Sequence, residues 1–294
     1  MRSFLETYGV AIFTLVLMAI LIAFATPLGK IIKNVANTQV ANVNRIGTQE
    51  IEKTNVEATD SVYACLYTNG ELILSSHEIK NKENVLYDYG YTNTHPWTGT
   101  EKTPNITVKT VTFLNVVKLT NCSSLFSWCV ELESINNMEY LDTSECTNMM
   151  SMFYQCKKLK MLDLSNFNTK TVQNMSCMFV YCTDIITLNL SSFDTSNVVN
   201  MDYMFDCCTN LKFINISSFN TSKVQGMQDM FLNCFNLTTL DLTSFNTKNC
   251  TNMNTMFFNC NSLRAITVSD TWNTSNATTT YMFSNCGTDH VTQK

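Results

Sequence analysis

Along the second half of the chain, apolar positions recur at two alternating spacings. Met175, Met178, Phe179 and Cys182 fall at i, i+3, i+4 and i+7, the pattern of one face of a short helix. Met201, Met204, Phe205 and Cys208 repeat it. Asn174, Asn200 and Asn252 stand just before such runs, where a side-chain oxygen is placed to cap free backbone N–H groups. Next comes Leu159-x-x-Leu162-x-Leu164, echoed by Ile185/Leu188/Leu190, Leu211/Ile214/Ile216, Leu237/Leu240/Leu242 and Leu263/Ile266/Val268. These triplets predict short strands with one inward face. Phe167, Phe193, Phe219 and Phe245 close the strands. Asn168-Thr169, Asp194-Thr195, Asn220-Thr221 and Asn246-Thr247 then turn the chain.

The pattern is strictly periodic. The pairs Met152-Phe153, Met178-Phe179, Met204-Phe205, Met230-Phe231, Met256-Phe257 and Met282-Phe283 follow one another every 26 residues. Cys156, Cys182, Cys208, Cys234, Cys260 and Cys286 keep the same register. A degenerate first copy places Phe126 and Cys129 one residue further upstream. Self-similarity at such a period marks a stacked array in which each unit buries its neighbour. The predicted fold is an α/β solenoid over 122–294, built of leucine-rich-repeat-like helix–strand units. Its strands would pair about 4.8 Å apart in one parallel sheet about 25–30 Å long.

Upstream the texture changes. Val62 to Tyr67 and Glu71 to Leu74 flank Asn69-Gly70, a hairpin signal of type I′. Ile106 to Leu114 alternates towards another strand, so 60–121 reads as a small β cap over the first apolar face. Thr7 to Gly29 carry no charge, and Val10 to Ala25 are almost wholly apolar. That length spans a hydrocarbon core of about 30 Å, so 1–29 is expected to be a single transmembrane helix. Arg2 and Ala23-Phe24-Ala25 also fit a cleaved signal sequence. Residues 30–59 carry a weak stripe (Ile32, Val35, Gln39, Val43, Ile46) and read as a stalk helix. Lys30 and Lys33 after the span outnumber Arg2 before it, which on charge alone favours a cytoplasmic carboxyl side.

Composition narrows the chemistry. Charged residues are 15% of the chain, against roughly 25% in a typical soluble domain. A net charge of −5 supplies no basic patch, so nucleic acid is not an expected partner. His77, His95 and His290 are scattered, and no CxxC occurs among the 13 cysteines. The ladder cysteines are expected to pack as small apolar groups, with Cys207 pointing outward beside Cys208. Neither a metal nor a cofactor is expected. Asn189-Leu190-Ser191 matches a glycosylation triplet that an Asn- and Thr-rich strand produces by composition. No nucleophile, phosphate-binding or metalloprotease motif occurs, so no enzymatic activity is expected; Cys65 with His77 or His95 is the nearest approach to one.

The unit M-x-x-M-F-x-x-C-x-x-L-x-x-L-D-L-S-x-F-[DN]-T, seen from Asn148 to Thr169 and in four successors, resembles the repeat of BspA-like leucine-rich-repeat surface proteins of bacteria. Tyr63 to Leu72 resembles the lead-in that precedes those repeats. The resemblance implies display at the cell surface and binding to protein on host, matrix or neighbouring cells, without catalysis. Phe stands here where an Asn ladder ordinarily runs, so Asn168, Asp194, Asn220 and Asn246, one residue on, are the candidates to take over its hydrogen bonding.

If the leucines point inward, their neighbours point outward. The candidate contact face is then Met161 and Asp163, Thr187 and Asn189, Phe213 and Asn215, Thr239 and Asp241, with Thr267 after Ala265. It offers amides and hydroxyls with Phe213 and Met161 as apolar anchors, suited to a protein or glycan. The function expected is adhesion or recognition from a membrane-anchored surface position, or secretion if the leader is cleaved. The other reading is a structural spacer or assembly component of an envelope or pilus-like structure.

Overall fold

β-prone, half-apolar runs build the first layer. A computed structural model of the chain describes residues 57–59 and 61–294. Strands β1 (Val62–Tyr67), β2 (Glu71–Ser75) and β3 (Val85–Thr92) pair antiparallel, with β1 in the middle. Strand β4 (Thr110–Phe113) joins β2 in parallel. The short strands β5 (Val117–Lys118), β6 (Ser134–Asn136) and β7 (Leu141–Asp142) follow. Strand β6 pairs parallel with β4, which gives the sheet order β3-β1-β2-β4-β6. The parallel stacking thus begins on the hairpin itself. That hairpin is present, but its turn is not type I′. Thr68, Asn69 and Gly70 form a three-residue loop, with Gly70 amide donating to Tyr67 carbonyl and only Gly70 at positive φ (+87°). This is a tight turn closed by a glycine bulge. A Cβ on Gly70 would lie 2.8 Å from the carbonyl of Thr107.

From residue 121 onward the chain winds in coils. Strands β8 (Thr187–Asn189), β9 (Phe213–Asn215), β10 (Thr239–Leu242), β11 (Ala265–Val268) and β12 (Thr292–Gln293) lie on one side. β8 pairs with β9, and β10 with β11 and then β12, all in parallel. The expected continuous sheet is therefore a series of short ladders, and residues 161–164 form no strand.

The opposite wall corrects the fold class. The Met-Phe segments are not helices. Among the described residues, helix is confined to one turn of 3-10 helix, Met138–Tyr140. The protein is a β-solenoid, not an α/β solenoid of helix–strand units. The hydrogen bonds explain why the spacing misleads. Met149, Ser151, Phe153 and Gln155 donate their amides to carbonyls of the next coil (Asn174, Ser176, Met178, Val180) at 2.7–3.0 Å. The amides of Met152, Tyr154 and Cys156 go to carbonyls three residues back. Ser151 and Gln155 sit at φ 57° and 63°, and their counterparts in later coils do the same (Cys177, Tyr181, Tyr203, Cys207). A left-handed third residue is what tight type II turns require. Successive turns thus carry Met, Met, Phe and Cys inward at the spacing a helix would use. A helix also fails on size: its width of about 10 Å cannot match coils stacked at the spacing of paired strands, about 4.8 Å. Bridges Asn121↔Asn148↔Asn174↔Asn200↔Gly226↔Asn252↔Thr278 hold the turn wall at strand spacing throughout.

Asn148, Asn174, Asn200 and Asn252 do supply side-chain oxygens, but to the amide two residues on in a local turn rather than to a helix end. Gly226 breaks that column. A Cβ there would come within 2.6 Å of the Asp202 carboxylate, which reaches across from the previous coil. Asp202 Oδ1 accepts the Gln228 amide at 2.8 Å, doing from the neighbouring coil what an Asn at 226 would have done.

The core lies between the two walls. Met149, Met175, Met201, Met227 and Met253 are wholly buried, as are Met152, Met178, Met204, Met230 and Met256. Phe126, Phe153, Phe179, Phe205, Phe231, Phe257 and Phe283 stack at 5.3–6.0 Å, one ring per coil. Among the described residues no helix is long and apolar enough to cross a membrane. The span expected over 1–29 lies outside the described residues, as does the stalk of 30–59 apart from 57–59.

Candidate functional site

Strands β8 to β11 carry Thr187, Asn189, Phe213, Asn215, Thr239, Asp241 and Thr267 of the candidate contact face, while Met161 and Asp163 lie on a coil that forms no strand. Met161, Asp163, Thr187, Asn189, Phe213, Asn215, Thr239 and Asp241 are exposed, and Thr267 is half-buried. Leu188, Leu240 and Ile266 between them are buried, so the alternation holds. Register brings Thr187 opposite Phe213 and Asn189 opposite Asn215. It sets Thr239 beside Ala265 and Asp241 beside Thr267. Phe213 is 62% exposed, the most prominent apolar side chain on this face.

The amide and carboxylate members also have a structural task. Asp163 Oδ1 accepts the Ser165 amide, and Asn189 Oδ1 that of Ser191. Asn215 Oδ1 accepts both the amide and the hydroxyl of Ser217, and Asp241 Oδ1 both those of Thr243. These bonds to Thr243 hold the Asp241 carboxyl below its ordinary range. One oxygen of each side chain thus closes the turn after its strand. Thr187, Phe213, Thr239 and Met161 make no such bond and are the freer members of the face.

None of the 13 cysteines is joined in a disulfide, and the ladder lies in the core. Cys156, Cys182, Cys208, Cys234 and Cys260 each donate S–H to a Phe carbonyl of the preceding coil at 3.0–3.2 Å. Burial pushes these thiols well up, and Cys129 to about 12. Cys207 leaves the ladder but is not exposed: Asn233 Nδ2 donates to its sulfur at 3.2 Å. Cys65 meets Asp88 and Lys82, at 3.3 and 3.4 Å, rather than His77 or His95. Burial raises its pKa above the ordinary thiol value. No three His, Cys, Asp or Glu side chains among the described residues converge as metal ligands.

Two polar columns escaped the sequence reading. Thr169, Thr195, Thr221 and Thr247 are buried, and their hydroxyls donate to backbone carbonyls of the next coil at 2.7–3.0 Å. They do the inter-coil work considered for Asn168, Asp194, Asn220 and Asn246, whose own side-chain oxygens close local turns. On the turn wall Asn285 donates to Asn259, and Asn259 to Asn233. The signal was available: a polar residue that accepts positive φ recurs there every 26 residues.

None of the curated proteins matches the chain. A family model described as "Mycoplasma protein of unknown function, DUF285" matches residues 99–212 and again 182–293. The overlap of the two matches is what a repeating unit permits, since one coil aligns as well as the next. Because the matches together run from residue 99 to the last coil, more than half of its length, the chain belongs to the DUF285 family.

Proposed function

We propose that this protein is a non-catalytic recognition module, displayed outside the cell, that binds protein or glycan through the strand side of the solenoid. The observation that carries the reading is Phe213, 62% exposed amid Thr, Asn and Asp. Aromatic side chains are enriched in protein contact surfaces, and Phe213 lies within the candidate face with Thr187 opposite it in register. The 26-residue unit resembles that of BspA-like surface proteins, which supports display and adhesion. The apolar run Val10 to Ala25, outside the described residues, supports export.

Protease added to intact cells should remove the repeat region. Purified protein should bind immobilised matrix proteins or glycans, and Phe213→Ala should weaken that binding about tenfold or more while circular dichroism stays unchanged. Unchanged binding by the folded variant would leave a spacer role in its place.

A further inference from the structure

A second outward column borders the candidate contact face. Lys160, Ile186, Lys212, Thr238 and Arg264 each stand one residue before the outward column Met161, Thr187, Phe213, Thr239 and Ala265. All ten are exposed. Backbone bonds fix the stacking. Lys212 donates its amide to the Ile186 carbonyl at 2.9 Å, and Arg264 to the Thr238 carbonyl at 2.8 Å. Cations therefore alternate with uncharged residues, one cation in every second coil. Two coils at strand spacing set neighbouring cations about 9.6 Å apart along the solenoid.

The column is positive in a chain whose net charge is −5. Lys157 and Lys158, also exposed, add charge beside Lys160. Among the described residues no ion pair takes up Lys160, Lys212 or Arg264. Arg264 directs one N–H to the Asn261 carbonyl at 2.8 Å. Carboxylates flank the row without interrupting it. Glu133 lies one coil before Lys160, and half-buried Asp184 gives its amide to the Lys157 carbonyl. Asp163 and Asp241 lie three residues further along their coils, each closing a turn. Apolar side chains sit among the cations: Ile186 in the column itself, Met161 and Phe213 next to it.

A polyproline II chain has three residues per turn and rises about 3.1 Å per residue. Every third side chain thus falls on one line at intervals of about 9.3 Å, close to the spacing of the cations. A β-strand would not serve, because side chains three apart point to opposite faces. We propose that this column binds an acidic segment of a protein partner in polyproline II form, with a carboxylate at every third residue. The carboxylates pair with Lys160, Lys212 and Arg264, and apolar residues between them rest on Ile186 and Phe213. Aliphatic Ile186 and Met161 offer no flat ring to a sugar and suit apolar peptide side chains. The segment is stiff before it binds, so little ordering is lost on docking. This inference names the ligand class for the function proposed above and rests on the strand side being the binding side.

The test uses the full chain and a fluorescein-labelled peptide of three Asp-Pro-Leu repeats. One control, three Asp-Pro-Leu-Thr repeats, carries the same charge at a four-residue interval. The other, three Asn-Pro-Leu repeats, carries none. The first peptide should bind saturably, about tenfold or more tightly than either control, and more weakly as salt rises. The double variant Lys160→Gln, Lys212→Gln leaves Arg264 and its bond in place. It should bind the first peptide about tenfold more weakly with unchanged circular dichroism. The proposal is overturned by absence of saturable binding, by equal binding of the two acidic peptides, or by unchanged binding to the double variant. Tighter binding of a heparin fragment than of the first peptide would overturn it in favour of an acidic glycan. Adherence separates this inference from the reading beneath it. A parent that adheres to cells or matrix and loses adherence on Phe213→Ala keeps the strand-side reading even where the peptide result is negative.

Discussion

The hydroxyl of Thr195 donates to the carbonyl of Asn220 at 3.0 Å and accepts the amide of the same residue at 2.8 Å. One fully buried side chain thereby closes both backbone groups of a residue in the next coil. Thr221 does the same for Asn246, and Thr247 for Asn273. Thr195→Val keeps the shape and leaves both groups without their partner. It should lower stability by about 2 kcal/mol, read as a shifted urea midpoint at constant slope. Thr195→Ser keeps the hydroxyl and loses one methyl, so about 1 kcal/mol is expected. No loss in Thr195→Val beside about 1 kcal/mol in Thr195→Ser would show that the methyl, not the hydroxyl, matters.

Cys208 donates its S–H to the Phe179 carbonyl at 3.2 Å from within the core. Cys208→Ala should cost about 1–2 kcal/mol. Because burial raises the ladder thiols, little thiolate forms near neutral pH. A thiol reagent should spare Cys156, Cys182, Cys208, Cys234 and Cys260 in native protein and label them on unfolding. Mass spectrometry that found Cys182–Cys208 or Cys208–Cys234 cross-links in native material would refute this packing.

Asp206 is buried on the turn wall with Oδ1 unpartnered. Burial raises its pKa from 3.8 to about 6; Asp229 adds to the rise, while Cys207 and Asn233 oppose it by hydrogen bonding. Between about pH 4 and pH 6 the folded chain keeps a proton that the unfolded chain has released. Stability contributed by this group is therefore present at low pH and lost as pH rises through that window. Asp202, also raised by burial, acts in the same sense, whereas Asp194 and Asp241, both lowered, act oppositely. Comparing the parent with Asp206→Asn isolates one group. The variant should be more stable at pH 7 by on the order of 1–2 kcal/mol, with the gain vanishing below about pH 4. Parallel stability curves for the two proteins across that range would rule the assignment out.

Sequence pattern alone revealed the period, the inward Met, Phe, Cys and Leu positions, and the outward strand columns. It misassigned the backbone of the Met-Phe segment. Inward spacing of 3, 4 and 7 is shared by a helix and by consecutive tight turns, and burial periodicity cannot tell them apart. Composition could have done so. Asn174 to Cys182 holds Asn, Ser, Cys, Val and Tyr but no Ala, Leu, Glu or Lys, so its intrinsic helix preference is weak. The Thr column was hidden for another reason. Thr195 follows Asp194 in a polar turn, and polar turn residues are ordinarily read as solvated. Only the stacked neighbour shows that its hydroxyl is buried. The amides on the strand face were legible as outward, but not as acceptors for their own turns.

The most direct measurement is adherence to host cells or matrix by the full chain and two variants, each first checked for folding by circular dichroism. One variant combines Met161→Ala, Thr187→Ala, Phe213→Ala and Thr239→Ala. It spares Asn189, Asn215 and Asp241, which close turns. The other carries Tyr181→Ala on the turn wall as a control. Loss of adherence by about tenfold or more in the first variant alone is expected. Full adherence by the folded first variant would contradict a binding role for the strand side.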